Sequence, residues 1–74
     1  MSVCAGKLER RLWVRFGRVF RVELDGAGLF CAVGRARGSL PMVLRCVGHH
    51  ARRDEVQARL DAWARKSGLN EVSG

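Results

Sequence analysis

Residues 12–24 read Leu12-Trp13-Val14-Arg15-Phe16-Gly17-Arg18-Val19-Phe20-Arg21-Val22-Glu23-Leu24, and this stretch decides the fold. Leu12, Val14, Phe16, Phe20, Val22 and Leu24 share one parity. Trp13, Arg15, Gly17, Val19, Arg21 and Glu23 share the other, and Arg18 alone breaks the apolar side. A period of two predicts half-buried β-structure with the even positions on the core. Thirteen residues exceed the usual strand of about 5–6. Gly17 therefore either bends one strand or sits in a turn. A three-residue turn at Gly17-Arg18-Val19 would set Phe16 opposite Phe20, Val14 opposite Val22 and Leu12 opposite Leu24, which keeps the apolar face intact.

Asp25-Gly26 follows directly, a strong hairpin signal because a type I′ turn needs positive φ at both central residues. A two-residue loop there pairs Val22 with Leu29 and Phe20 with Cys31. A four-residue loop keeps the same faces. Either way Leu29, Cys31 and Val33 join the core, while Phe30 and Ala32 point away. Residues 34–41 hold three breakers, Gly34, Gly38 and Pro41, and read as a loop. Met42 to Val47 reads as a further strand, with Met42, Leu44 and Cys46 on one side and Val43, Arg45 and Val47 on the other.

A helix is predicted over 51–67. Val56, Leu60 and Trp63 form one apolar stripe. Glu55 with Arg59 and Asp61 with Arg65 stand in the favourable i, i+4 order. Arg65 and Lys66 suit the negative end of the helix dipole. Gly68 suits the left-handed position beyond the last turn, with Leu69 as its hydrophobic contact. The start is poorly signalled, since Gly48, His49 and His50 are weak caps. Residues 1–10 are expected to form a loose arm and 70–74 a frayed tail. The expectation is thus an α+β fold in a single domain over residues 1–74: a three- or four-stranded antiparallel sheet with one C-terminal helix on one face.

Seventy-four residues allow a core only one layer thick. No stretch approaches the ~20 apolar residues that span a bilayer, and residues 1–7 hold no apolar signal region. A cytoplasmic location is expected, with no membrane partner. Cys4, Cys31 and Cys46 are odd in number, which argues against a disulfide framework. Cys31 and Cys46 read as small buried hydrophobes. Cys46 and His49 have the spacing of half a zinc site, but a structural zinc needs a second pair. No metal, cofactor or catalytic arrangement is expected, and the chain does not read as an enzyme.

The net charge is +7, from fourteen Lys and Arg against seven Asp and Glu. Residues 1–50 hold nine bases and three acids, hence +6; residues 51–74 hold five and four, hence +1. Twelve of the bases are Arg, whose planar fork matches phosphate and carboxylate and stacks on flat rings. The partner is therefore expected to be nucleic acid or an acidic protein surface. The sheet face away from the helix is expected to carry Trp13, Arg15, Arg21, Phe30 and Arg45, a stacking platform for unpaired bases. The same face also suits a homodimer or a protein hot spot. Arg35 and Arg37, between glycines, form a second candidate anion site. Arg52 and Arg53 form a third, in a first helical turn where the dipole disfavours cations. The first function expected is a small nucleic-acid-binding protein of bacterial, phage or plasmid type. The alternative is a phage- or mobile-element-type inhibitor or adaptor that binds an acidic surface of a host or defence protein.

Overall fold

The computed structural model describes residues 11–72. The loose arm expected at 1–10, with Cys4, lies outside them. Five antiparallel strands and one helix run in the order β1 (Leu12–Arg15), β2 (Arg18–Leu24), β3 (Phe30–Arg35), β4 (Met42–Val43), α1 (Arg53–Ser67) and β5 (Asn70–Val72). The sheet order is β4-β3-β2-β1-β5. The fold is α+β as expected, with one strand more than the longest alternative. β5 replaces most of the expected tail: Leu12 pairs with Val72, Trp13 with Glu71 and Val14 with Asn70.

Residues 12–24 form a hairpin, but its turn is shorter than expected. Phe16 and Gly17 are the two central residues, and both have positive φ (52° and 75°). Arg15 faces Arg18, so this is a two-residue loop of the I′ kind. Trp13 therefore faces Phe20 and Val14 faces Val19. Changing a loop by one residue flips a strand's faces. Trp13 thus joins Phe20 and Val22 on the helix side, and Leu12 and Val14 turn to the open side.

The next hairpin departs in the same manner. Asp25 Oδ1 accepts from the backbone N–H of Ala27 (2.8 Å) and Leu29 (2.9 Å), and Gly28 N donates to Asp25 O (3.3 Å). Gly28 takes φ 86°, which closes a three-residue loop rather than one of two or four. Leu24 then faces Phe30 and Val22 faces Ala32. Ala32 and Phe30 lie on the helix side; Cys31 and Val33 lie on the open side, both buried. Strand β4 is short. A turn at residues 45–47 follows it, so Arg45 and Cys46 are exposed and Val47 is buried in the core. Cys46 is thus no core residue, a consequence of the turn where a longer strand was expected.

The helix starts two residues later than expected. Arg52 occupies its N-cap position without a side-chain cap bond, and neither His49 nor His50 caps it. Gly68 (φ 79°) ends it in the left-handed conformation: Gly68 N donates to Arg65 O and Leu69 N to Ala64 O, and Leu69 is buried. The buried stripe is Val56, Leu60 and Ala64, flanked by Gln57 and Asp61; Trp63 is half-buried beside Phe20, ring centroids 5.2 Å apart. These residues close the core with Trp13, Phe20, Val22, Ala32, Leu44, Val47 and Leu69.

A polar network explains why an indole lies inside. Trp13 Nε1 donates to Asp61 Oδ1 (2.8 Å), as does Gln57 Nε2 (3.0 Å), while Arg11 Nη1 pairs with Asp61 Oδ2 (2.8 Å). Arg11 Nε also reaches Glu71 Oε2 (2.9 Å), tying β5 into the same network. The i, i+4 pair expected between Asp61 and Arg65 is therefore replaced. The Arg65 guanidinium instead lies over the Trp13 ring, 5.6 Å from its centroid. Glu55 and Arg59 do pair, at 3.2 Å.

Candidate functional site

The expected aromatic and basic platform is not assembled on one face. Trp13, 3% exposed, is in the core, and Phe30 is half-buried on the helix side at the far end of β3. Arg15 shares the parity of Trp13 and bonds Ser67 O at the helix C-terminus (2.8 Å). Arg45 stands on the turn after β4. Of the five residues, Arg21 alone lies on the open face. That face is mainly apolar: Leu12, Val14, Val19, Val33, Val43 and Val72 run across it by register.

One ion cluster crosses the open face. Arg35 grips Glu23 with two bonds, Nε to Oε2 at 2.6 Å and Nη2 to Oε1 at 2.8 Å, and Arg21 adds a third at 3.2 Å. The Arg35 fork, foremost, holds the Glu23 carboxyl at about 2 against the usual 4.5, and Arg21 reinforces it against the opposing effect of burial. Arg21 and Arg35 therefore already hold an internal anion. Arg52 likewise bonds Asp54 (3.2 Å). Arg53 opens the helix, half-buried.

At the other acidic positions the pattern is the same. His49 Nδ1 lies 2.7 Å from Asp25 Oδ2, and hydrogen bonds led by Leu29 N–H keep the Asp25 carboxyl below its usual range. Glu55 bonds Arg59; Asp61 and Glu71 bond Arg11. Every described carboxylate is thus committed to a base. Among the described residues no carboxylate pairs with Arg15, Arg18, Arg37, Arg45, Arg65 or Lys66.

Five of these six gather at one end of the molecule. Arg15 and Arg18 flank the β1–β2 turn. Arg37 sits in the turn after β3, closed by the bond from Ser39 N to Ala36 O (3.1 Å). Arg65 and Lys66 occupy the last helical turn, which Arg15 joins to the hairpin. Asp25, Asp54 and Glu55 lie at the opposite end, beside the β2–β3 turn and the helix start. The helix C-terminus carries roughly half a negative charge. Five cations exceed what that end needs.

A groove of about 400 Å³ opens here, lined by Arg15, Phe16, Arg18, Phe20, Met42, Trp63 and Leu69. Phe16 is 91% exposed, with the Arg15 guanidinium 4.9 Å from its ring centroid. Arg18 Nη1 reaches Gly34 O at 3.4 Å. Its lining combines aromatic and aliphatic carbon with the Arg15 and Arg18 side chains. Of the expected site residues it gathers Arg15, with Arg37 nearby. Phe16, Arg18 and Trp63 were not expected there. One signal pointed to Arg18: it is the single charge that breaks the apolar parity of residues 12–24.

Among the described residues, no group of His, Cys, Asp and Glu is arranged to hold a metal ion, and no helix is long and apolar enough to cross a membrane. No protein-family model, curated protein or solved structure matches the chain.

Proposed function

We propose that the chain binds nucleic acid, and that it does so at the basic end rather than on the sheet face. The observation that carries this reading is the segregation of charge. Among the described residues no carboxylate pairs with Arg15, Arg18, Arg37, Arg65 or Lys66, and Arg15 and Arg18 line a groove together with Phe16, Phe20 and Trp63. Guanidinium groups in such a groove meet phosphates, while rings accept the faces of bases. The acids that could compete are neutralised by their own ion pairs or stand at the far end. No catalytic step belongs to this reading.

The test is salt dependence. Among the described residues Arg18 makes only one long bond and Arg37 none, so Arg18→Ala with Arg37→Ala should leave the core intact. Each phosphate contact to a single strand contributes about 0.7 to the slope of log affinity against log salt. The double variant should bind an oligonucleotide more weakly and show a slope smaller by about 1.4. A parent protein with no oligonucleotide affinity at low salt, or a double variant with the parental slope, refutes the assignment.

The open sheet face favours a second reading. Its valines and Leu12 suit contact with a protein, and the same basic end could then meet an acidic surface on that partner. Arg21→Ala with Val43→Ala would weaken such a complex and leave oligonucleotide binding unchanged.

A further inference from the structure

We infer that the nucleic acid held at the basic end is single-stranded, and that Phe16 is the residue that selects it by stacking on an unpaired base. The inference rests on the binding reading above and gives it a partner class. Phe16 is the one described residue other than glycine with positive φ. It holds the first central position of a I′ turn, where Asn, Asp and Gly fit best and a bulky side chain fits worst. Nothing in the core rewards the choice, because the ring is 91% exposed. An unfavourable backbone position and a solvated ring at a hairpin tip together point outward, to something the ring meets.

The surroundings specify what it meets. The Arg15 guanidinium lies over the Phe16 ring at 4.9 Å, and Arg18 stands on the other side of the turn. Both line the groove that leads to Trp63. The Arg15 guanidinium gives Nη1 to Ser67 O and has further N–H donors for phosphate, while the exposed ring offers its flat surface to a base. A duplex presents base faces only at its ends. An unpaired strand presents one at every nucleotide, so stacking on Phe16 favours single strands over duplex.

Phe16→Asn tests this, because Asn-Gly is the preferred pair for a I′ turn. Binding would be followed by fluorescence anisotropy with an oligothymidylate of about twelve nucleotides, which matches known single-strand site sizes, and with a blunt duplex of equal length. The parent should prefer the single strand. Phe16→Asn should weaken single-strand binding by about 5- to 150-fold, the loss of one aromatic–base stack. Its salt slope should be unchanged because the phosphate contacts remain. Its melting temperature should rise, because the strained position is relieved.

Four results overturn the inference: equal parental affinity for single strand and duplex; full single-strand affinity in Phe16→Asn; a lower melting temperature in Phe16→Asn, which would make the ring structural; or loss of a protein partner on Phe16→Asn where the parent binds no oligonucleotide. A parent that binds both nucleic acids equally, with a slope that falls in the Arg18 and Arg37 variant, removes the stacking role and leaves the basic-end reading standing. A parent that binds neither removes both.

Discussion

Asp61→Ala removes the acceptor around which the interior is organised. The carboxylate receives three donors: Trp13 Nε1, Gln57 Nε2 and Arg11 Nη1. Their losses are unequal. Gln57 Nε2 keeps its bond to Arg11 O at 3.1 Å, and Arg11 Nε keeps Glu71. Trp13 Nε1 keeps nothing shown, and the residue is 3% exposed. A buried donor left unsatisfied costs about 1–3 kcal/mol, and a bond to a charged group contributes about 1.5–3 kcal/mol. Removing the buried carboxylate returns part of this, since its own desolvation disappears. The net expectation is a loss of about 2–4 kcal/mol, against a total of about 4–11 kcal/mol for a domain of this length. Urea unfolding followed by Trp fluorescence measures it. With a slope of about 1 kcal/mol per molar for so small a protein, the midpoint should fall by about 2 M or more. Trp13→Phe deletes the indole donor and also part of the ring volume in the core, so it should cost about 1–3 kcal/mol. The two changes should couple in a double-mutant cycle. A midpoint for Asp61→Ala within about 0.3 M of the parent would show that the network does not hold the indole in place.

Glu23 gives the molecule an acid-sensitive ion cluster. Its folded pKa of about 2 lies below the usual 4.5, so the stabilisation is complete above 4.5 and is lost as pH falls from 4.5 toward 2. With Arg21 and Arg35 half-exposed, about 1–2 kcal/mol is expected. Glu23→Gln should flatten this acid limb in thermal melts, and identical limbs would rule the cluster out. Gly34→Ala places a methyl 2.5 Å from Phe20 Cε2 and 2.7 Å from Cδ2, so the ring that crosses β3 must move. A loss of about 1–3 kcal/mol is expected in denaturant, and an unchanged midpoint would contradict the packing of Phe20 over the glycine.

The helix was legible almost whole, because its signals are local: the Glu55–Arg59 pair, the stripe through Val56 and Leu60, and Gly68 with Leu69. The faces of β2 were legible too. The faces of β1 and β3 were not, because each depends on a loop length that the alternation does not encode. Phe16 concealed the first turn, since a phenylalanine is an improbable occupant of a I′ corner. Asp25 concealed the second by bonding two backbone N–H groups, which closes three residues where Asp-Gly alone suggests two. One residue in each loop was enough to move Trp13 inward and Cys31 and Val33 to the open side. The candidate site suffered accordingly. Arg15, expected on the open sheet face, lines the groove instead, and Phe16, Arg18 and Trp63 join it there because of those registers. β5 was missed because Asn70-Glu71-Val72 is too short and polar to carry a period.

That short strand also governs how the molecule can fail. β5 is three exposed residues paired to the outer edge of β1, joined to the helix through the left-handed Gly68. If the last helical turn and β5 open together, breaking the Arg11–Glu71 pair, the main-chain groups of β1 that β5 occupied become a free edge beside an apolar surface. Such an edge is a template for another chain. The opening needs only a local transition, whose free energy is smaller than that of global unfolding. Opening of residues 65–72 would therefore expose a pairing edge, and the β1 amides paired to β5 should exchange with solvent ahead of those in β2 and β3.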